Sequence, residues 1–101
     1  MRRLPPLRSL EAFVRVARLG SAKAAADELS LSPSALSRRL AGMESFVGKK
    51  LFVRQNQQLR LNADGEALFE AAAPALDDLA EAIEAHIDDT RILRMRLGVL
   101  S

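Results

Sequence analysis

Apolar residues recur along the first half of the chain at helical intervals. Leu7, Leu10, Phe13, Val14 and Ala17 step by three, three, one and three, which predicts an amphipathic helix that opens after Pro5-Pro6 and ends near Gly20. Ser21 follows as an N-cap, and Ala22, Ala25, Ala26 and Leu29 predict a short second helix whose small side chains allow close packing. Ser32-Pro33 is a capping residue followed by proline at the first helical position. A third helix is predicted there, with Leu36, Leu40, Met43 and Val47 on its core face and Gly48 ending it in a left-handed conformation. Two helices joined by so tight a turn form a helix-turn-helix pattern.

The period then changes. Leu51-Phe52-Val53-Arg54 and Leu59-Arg60-Leu61 read as short strands around the polar connection Gln55-Asn56-Gln57-Gln58, a hairpin or wing. Asn62 caps a long helix in which Leu68, Ala72, Leu76, Leu79, Ile83 and Ile87 are spaced four, four, three, four and four, with Pro74 expected to kink it or shift its pairing. About 26 residues at ~1.5 Å each project this helix roughly 40 Å. The preceding 61 residues are too few to cover that stripe, so a second copy of the chain is its expected partner. Ile92 to Leu100 alternates like a strand, and a lone terminal strand needs a larger sheet to join.

Charge sharpens this outline. The formal net charge is only +2, but Met1 to Lys23 holds six basic residues against Glu11, and Ser32 to Arg60 holds six against Glu44. From Asp64 to Asp89 there are nine acidic residues and no Lys or Arg. The basic part suits a polyanion and the acidic part repels one. With 101 residues, no cysteine and His86 as the only histidine, the chain has room for one small domain and few means of catalysis. No enzyme activity, metal or cofactor is expected. No apolar run reaches the ~20 residues of a membrane span, and the start lacks a signal peptide's apolar stretch, so the expectation is cytoplasmic with no membrane partner.

Opposite the core face of the third helix lie Ser34, Arg38, Ala41 and Ser45, with Ser37 beside them. Small residues let a backbone approach something closely, and the major groove of double-stranded DNA admits such a helix. Arg38 has the geometry for bidentate pairing with guanine, Ser34 and Ser37 for bonds to bases or phosphates, and Pro33 for contact with a thymine methyl. Ser21, Lys23, Ser32, Arg39, Lys49, Lys50, Arg54 and Arg60 are candidates for sequence-blind phosphate contact. A plainer account stands beside each of these: Ser32-Pro33 is sufficiently explained as a cap, Ser37 as a tolerated helix residue and the lysines as surface charge. A protein-interaction module, with the acidic helix as its working surface, is the alternative class.

These residues carry a family likeness. The run "FVRVARLGSAKAAADELSLSPSALSRRLAGMESFVGKKLFVR", followed by "LRLNADGEAL", resembles the N-terminal DNA-binding region of LysR-type transcriptional regulators over roughly residues 7 to 89. The resemblance implies a mainly α fold: a winged helix-turn-helix over 1–61, a linker helix over 62–89 that dimerises, and over 90–101 the first strand of an effector-sensing domain otherwise absent. It also implies a DNA-binding fragment or truncated regulator that lacks an inducer response. Base reading falls on Pro33, Ser34, Ser37 and Arg38, and dimerisation on Leu68, Leu76, Leu79, Ile83 and Ile87, giving a homodimer or a tetramer built from it. The family frequently has glutamine where Pro33 stands, and its wing tips commonly carry a basic residue where Gln55 to Gln58 are uncharged. Arg54 and Arg60 are the nearest substitutes. Asn62 stands for a usual threonine and Met43 for a usual leucine.

Overall fold

The computed structural model describes residues 3–56 and 58–87. Within them α1 (Leu7–Leu19), α2 (Ala22–Glu28) and α3 (Pro33–Val47) are followed by the strands β1 (Phe52–Gln55) and β2 (Gln58–Leu61) and by α4 (Ala63–Ala85). The strand expected within 90–101 lies outside the described residues.

The caps form where the sequence places them. Ser21 Oγ accepts from Ala24 N at 3.1 Å, Ser32 Oγ from Ala35 N at 3.2 Å and Asn62 Oδ1 from Gly65 N at 2.8 Å. Each satisfies an amide that the first helical turn leaves without an intrahelical partner. Gly20 and Gly48 close α1 and α3 in left-handed conformations, donating to the Val16 and Glu44 carbonyls. The α2–α3 turn uses a serine for the same purpose: Ser30 has φ 57°, Ser30 N donates to Asp27 O and Leu31 N to Ala26 O. That is the bond pair of a Schellman closure.

The core gathers Ala12, Phe13 and Val16 of α1, Ala25 and Ala26 of α2, Leu36, Leu40 and Met43 of α3, Leu51 ahead of the wing, and Ala73 of α4. Phe13 meets Phe52 edge to face, with ring centroids 5.5 Å apart. The buried arc of α1 is rotated from the expected stripe. Ser9, Ala12 and Val16 are buried while Leu7 is exposed, because small residues on this arc let α1 approach α3 closely. A Cβ at Gly42 would stand 3.4 Å from Ser9 Oγ. Val47 also departs from expectation. The burial of α3 stops at Met43, and Val47, in the last turn, is exposed.

The wing is a two-stranded antiparallel hairpin that pairs Phe52 with Leu61, Val53 with Arg60, Arg54 with Leu59 and Gln55 with Gln58. Cross-strand partners share a face. Phe52, Leu59 and Leu61 therefore turn inward with Arg54, while Val53, Gln55, Gln58 and Arg60 face outward. At the tip Asn56 has φ 52°, a conformation that asparagine tolerates better than most residues.

α4 continues through Pro74, which cannot donate to the Glu70 carbonyl. It ends at Ala85, where His86 N and Ile87 N donate three residues back, to Ile83 and Glu84. The helix is thus shorter than the sequence spacing suggests: its last turn holds no basic residue and Glu84 lies against the negative end of the helix dipole. No described helix is long and apolar enough to cross a membrane.

Candidate nucleic-acid interface

The face of α3 opposite Leu36, Leu40 and Met43 is open from end to end. Ser34, Ser37, Arg38, Ala41 and Ser45 are all exposed, and so is Pro33 at the start of the helix, on the edge nearer the core side. Sequence periodicity located this face correctly, since residues three and four apart stack on one side of a helix. Ser34 Oγ lies 3.3 Å from Ser32 Oγ, which also caps the helix. A capping hydroxyl accepts from the backbone and keeps its own proton for another acceptor.

Charge on this side differs from charge on α1. Arg15 is paired with Glu28, and Arg18 Nη2 lies 3.0 Å from Asp77 Oδ2, so these α1 arginines fasten α2 and α4 to α1. Among the described residues Lys23, Arg38, Arg39 and Arg54 have no carboxylate within 4.0 Å. Lys49 and Lys50 are intermediate, at 3.8 Å from Asp64 and 3.9 Å from Glu44. Each basic stretch thus gives up part of its charge to internal pairs, Arg15 and Arg18 in the first and, at longer range, Lys49 and Lys50 in the second. Arg38, Arg39 and Arg54 around α3 and the wing stay without a carboxylate partner among the described residues.

A groove of about 440 Å³ separates α3 from the wing, with Ser37 and Ala41 on one wall and Arg54 and Leu59 on the other. Arg54 and Arg60 are consequently not equivalent. Arg54 lines the groove with Ser37, whereas Arg60 stands on the outer face and donates to Gln58 Oε1 at 3.2 Å. Ser21 and Lys23 open α2, where Ser21 is occupied as a cap and Lys23 is exposed. Arg39 is half-buried beside the core face.

Sequence reasoning missed the parts that hold the wing in place. The Glu44 carboxylate accepts from Leu51 N at 2.7 Å, and Asn62 N and Nδ2 donate to the carbonyls of Leu51 and Lys50. Gly65 passes so close to Leu51 O that an added Cβ would lie 2.1 Å from it. The spacing "ME…GKKLFVR…LNADG" carried all of these residues, but periodicity assigns no partner to a lone carboxylate or to a helical glycine.

On the other side of the molecule α1 and α4 enclose a shallow groove of about 300 Å³, lined by Leu7, Val14, Leu76, Leu79 and Ile83. Leu79 is 47% and Ile83 56% exposed. Of the residues expected to dimerise, Leu76, Leu79 and Ile83 come together here. Leu68 instead packs partly against the core, and Ile87 lies beyond the end of α4.

The comparisons agree with this architecture. A family model described as "Bacterial regulatory helix-turn-helix protein, lysR family" matches residues 7–66. The glycine cleavage system transcriptional activator homolog of Haemophilus influenzae is 42% identical over 83 residues, which are 82% of this chain and 28% of that protein. The chain thus spans little more than a quarter of the length of that relative. Among solved structures, BenM DBD in complex with benA site 1 DNA superposes with a TM-score of 0.73 at 26% identity, over 79% of this chain and 93% of that one. CbnR, a LysR family transcriptional regulator, gives a TM-score of 0.73 at 29% identity over 79% of this chain and 28% of its own. With most of its length matched by the family model and its winged helix-turn-helix shared with these structures, the chain belongs to the LysR family of bacterial regulatory helix-turn-helix proteins.

Proposed function

We propose that the chain is the DNA-binding region of a LysR-type transcriptional regulator and that it binds double-stranded DNA in a sequence-specific way. The observation that carries this reading is the outer face of α3: open, built of small residues, and carrying Arg38 without a carboxylate partner among the described residues. A helix with such a face enters the major groove without steric conflict. Pro33, Ser34, Ser37 and Arg38 meet base edges, with Arg38 on a guanine. Lys23, Arg39, Lys49, Lys50 and Arg54 meet phosphates, as do the hydroxyls of Ser21 and Ser32, and Arg60 supplements them from the outer face of the wing. The BenM DBD complex supports the choice of ligand, since its fold is shared and it holds DNA.

Residues 1–61 serve as the binding domain and 62–89 as the linker. Leu76, Leu79 and Ile83 form the contact with a second copy, which seats its own α4 in the α1–α4 groove. A two-fold dimer reads two half-sites related by a dyad. Proteins of this kind act in the bacterial cytoplasm by binding rather than by catalysis.

The test is selection of binding sites from a random duplex library at near-physiological salt. An interrupted palindrome is the expected product. Retention without an enriched sequence would overturn specific reading, and no retention would overturn DNA binding. Titration over salt adds a second check, because each phosphate neutralised steepens the fall of log K with log salt by about 0.9.

A further inference from the structure

A carboxylate in the groove between α3 and the wing is out of place on a surface that meets phosphate. Glu44 lies there, seven residues after Ser37 and on the same face of α3, with its side chain only 18% exposed. We propose that Glu44 is a positioning residue that fixes the wing relative to the recognition helix and so sets where the wing meets DNA. The proposal rests on the DNA-binding reading above.

Two ends of the same residue do two jobs. The Glu44 carbonyl accepts from Gly48 N at 2.8 Å and Lys49 N at 3.2 Å, which closes α3. Its Oε2 accepts from Leu51 N at 2.7 Å and, more weakly, from Phe52 N at 3.4 Å, which anchors the first residues of the wing. Oε1 lies 3.9 Å from Lys50 Nζ, whose side chain is 85% exposed. The carboxylate is thus satisfied by backbone amides and faced by a lysine, and its negative charge is offset before DNA arrives.

From the opposite side Asn62 donates to the carbonyls of Lys50 and Leu51. Residues 50–52 are held by their N–H groups from α3 and by their C=O groups from the start of α4. Asn62 fixes the wing to the start of α4, and among the described residues Glu44 is the one side chain of the recognition helix that holds it by hydrogen bonds, beside the apolar packing of Leu51 and Phe52 on the core. Arg54 lies two residues beyond Phe52 in the same strand, so any drift of the strand moves its guanidinium along the DNA backbone.

The experiment compares the purified chain with Glu44→Ala and Glu44→Gln on the selected duplex, by affinity, by hydroxyl-radical footprint and by amide hydrogen exchange without DNA. Loss of a hydrogen bond to a charged group corresponds to roughly a tenfold change in an equilibrium constant. Glu44→Ala is expected to weaken binding about tenfold and to lose protection of the flanking backbone. Base preference under α3 stays the same, and the Leu51 and Phe52 amides exchange faster. Glu44→Gln, which keeps an acceptor oxygen, is expected to retain the footprint and the slow exchange. An unchanged flanking footprint in folded Glu44→Ala would overturn the proposal, and so would a Glu44→Gln variant as impaired as the alanine. Should Glu44→Ala not fold, Glu44→Asp withdraws the acceptor by one methylene and takes its place. If the parent chain binds no duplex, the DNA-binding reading fails, while amide exchange still tests the clamp by itself.

Discussion

The three-helix body and the distal half of α4 carry the same kind of hydrophobic spacing and end in opposite states. In the body, Phe13, Val16, Leu36 and Met43 find partners on other elements and are lost from solvent. In α4, Leu68, Phe69 and Leu76 still pack against that core, but Leu79 and Ile83, one and two turns further on, stand largely exposed beside the α1 groove. A periodic stripe specifies which side of a helix wants cover, and the rest of the chain decides whether the cover exists. Charge follows the same division. Around α3, Arg38, Arg39 and Arg54 have no carboxylate partner among the described residues, whereas α4 is acidic and holds Asp77 against Arg18 and Asp64 near Lys49.

The sharpest way to break this comparison is to truncate one side chain in each region. Phe13 is fully buried and packs edge-on to Phe52, so Phe13→Ala is expected to cost about 3–5 kcal/mol in denaturant melts, enough to unfold a domain of this size. Ile83→Ala is expected to change the monomer by less than about 0.5 kcal/mol while raising the dimer dissociation constant in sedimentation experiments. Equal losses of monomer stability at the two positions would mean that α4 is covered within one chain, and the assignment of its distal half to a second copy would fall.

Arg38→Glu sharpens the contrast of charge. Arg38 is exposed and has no ion pair among the described residues, so the variant is expected to melt with the parent chain. DNA affinity is expected to fall about a hundredfold or more, because a bidentate base contact worth about 1–3 kcal/mol is replaced by repulsion. The same reversal at Arg18, whose partner is Asp77, is expected to act mainly on stability and by less than about 1 kcal/mol, as for other exposed pairs. Binding measured at two salt concentrations separates the two effects.

How much of this was legible in the sequence depends on the range of the interaction. Caps act within three residues, and Ser21, Ser32-Pro33, Asn62 and Gly48 were all readable as such. The exposed face of α3 follows from its own period. The rotated arc of α1 was not readable, since Ser9 and Ala12 are buried by the approach of α3 and not by their own hydrophobicity. Val47 and Ile87 failed for the opposite reason: they continue a stripe past the point where cover or helix ends. Glu44 looked like one acidic residue in a basic stretch, and only the fold brings the Leu51 amide to it.

Gly65 is a further case that only tertiary structure explains. It sits in the first turn of α4, where alanine would ordinarily gain up to about 1 kcal/mol of helix propensity. Here an added Cβ would stand 2.1 Å from Leu51 O and 2.9 Å from Leu61 Cδ2, and backbone cannot swing aside as a flexible side chain does. Gly65→Ala is therefore expected to destabilise by about 1–3 kcal/mol in thermal or denaturant melts, the usual range for overpacking. A neutral or stabilising result would show that α4 can slide away from the wing.

The smallest effect is expected at the turn between α2 and α3, and its sign is the informative part. Ser30 holds φ 57° on an exposed position, a conformation that costs an L-residue roughly 1–2 kcal/mol and glycine nearly nothing. Its N–H and that of Leu31 close α2, and glycine preserves both bonds because they come from the backbone. Against the relief of strain stands the greater entropy of glycine in the unfolded chain, about 0.4–1 kcal/mol. Ser30→Gly is thus expected to stabilise the fold by a few tenths to about 1 kcal/mol. DNA binding should be unaffected, since the geometry of the turn and hence the placement of α3 are retained. Destabilisation instead would mean that the serine hydroxyl contributes a contact stronger than the strain it imposes, and the turn would then have to be counted with α3 as part of what the sequence at this position selects.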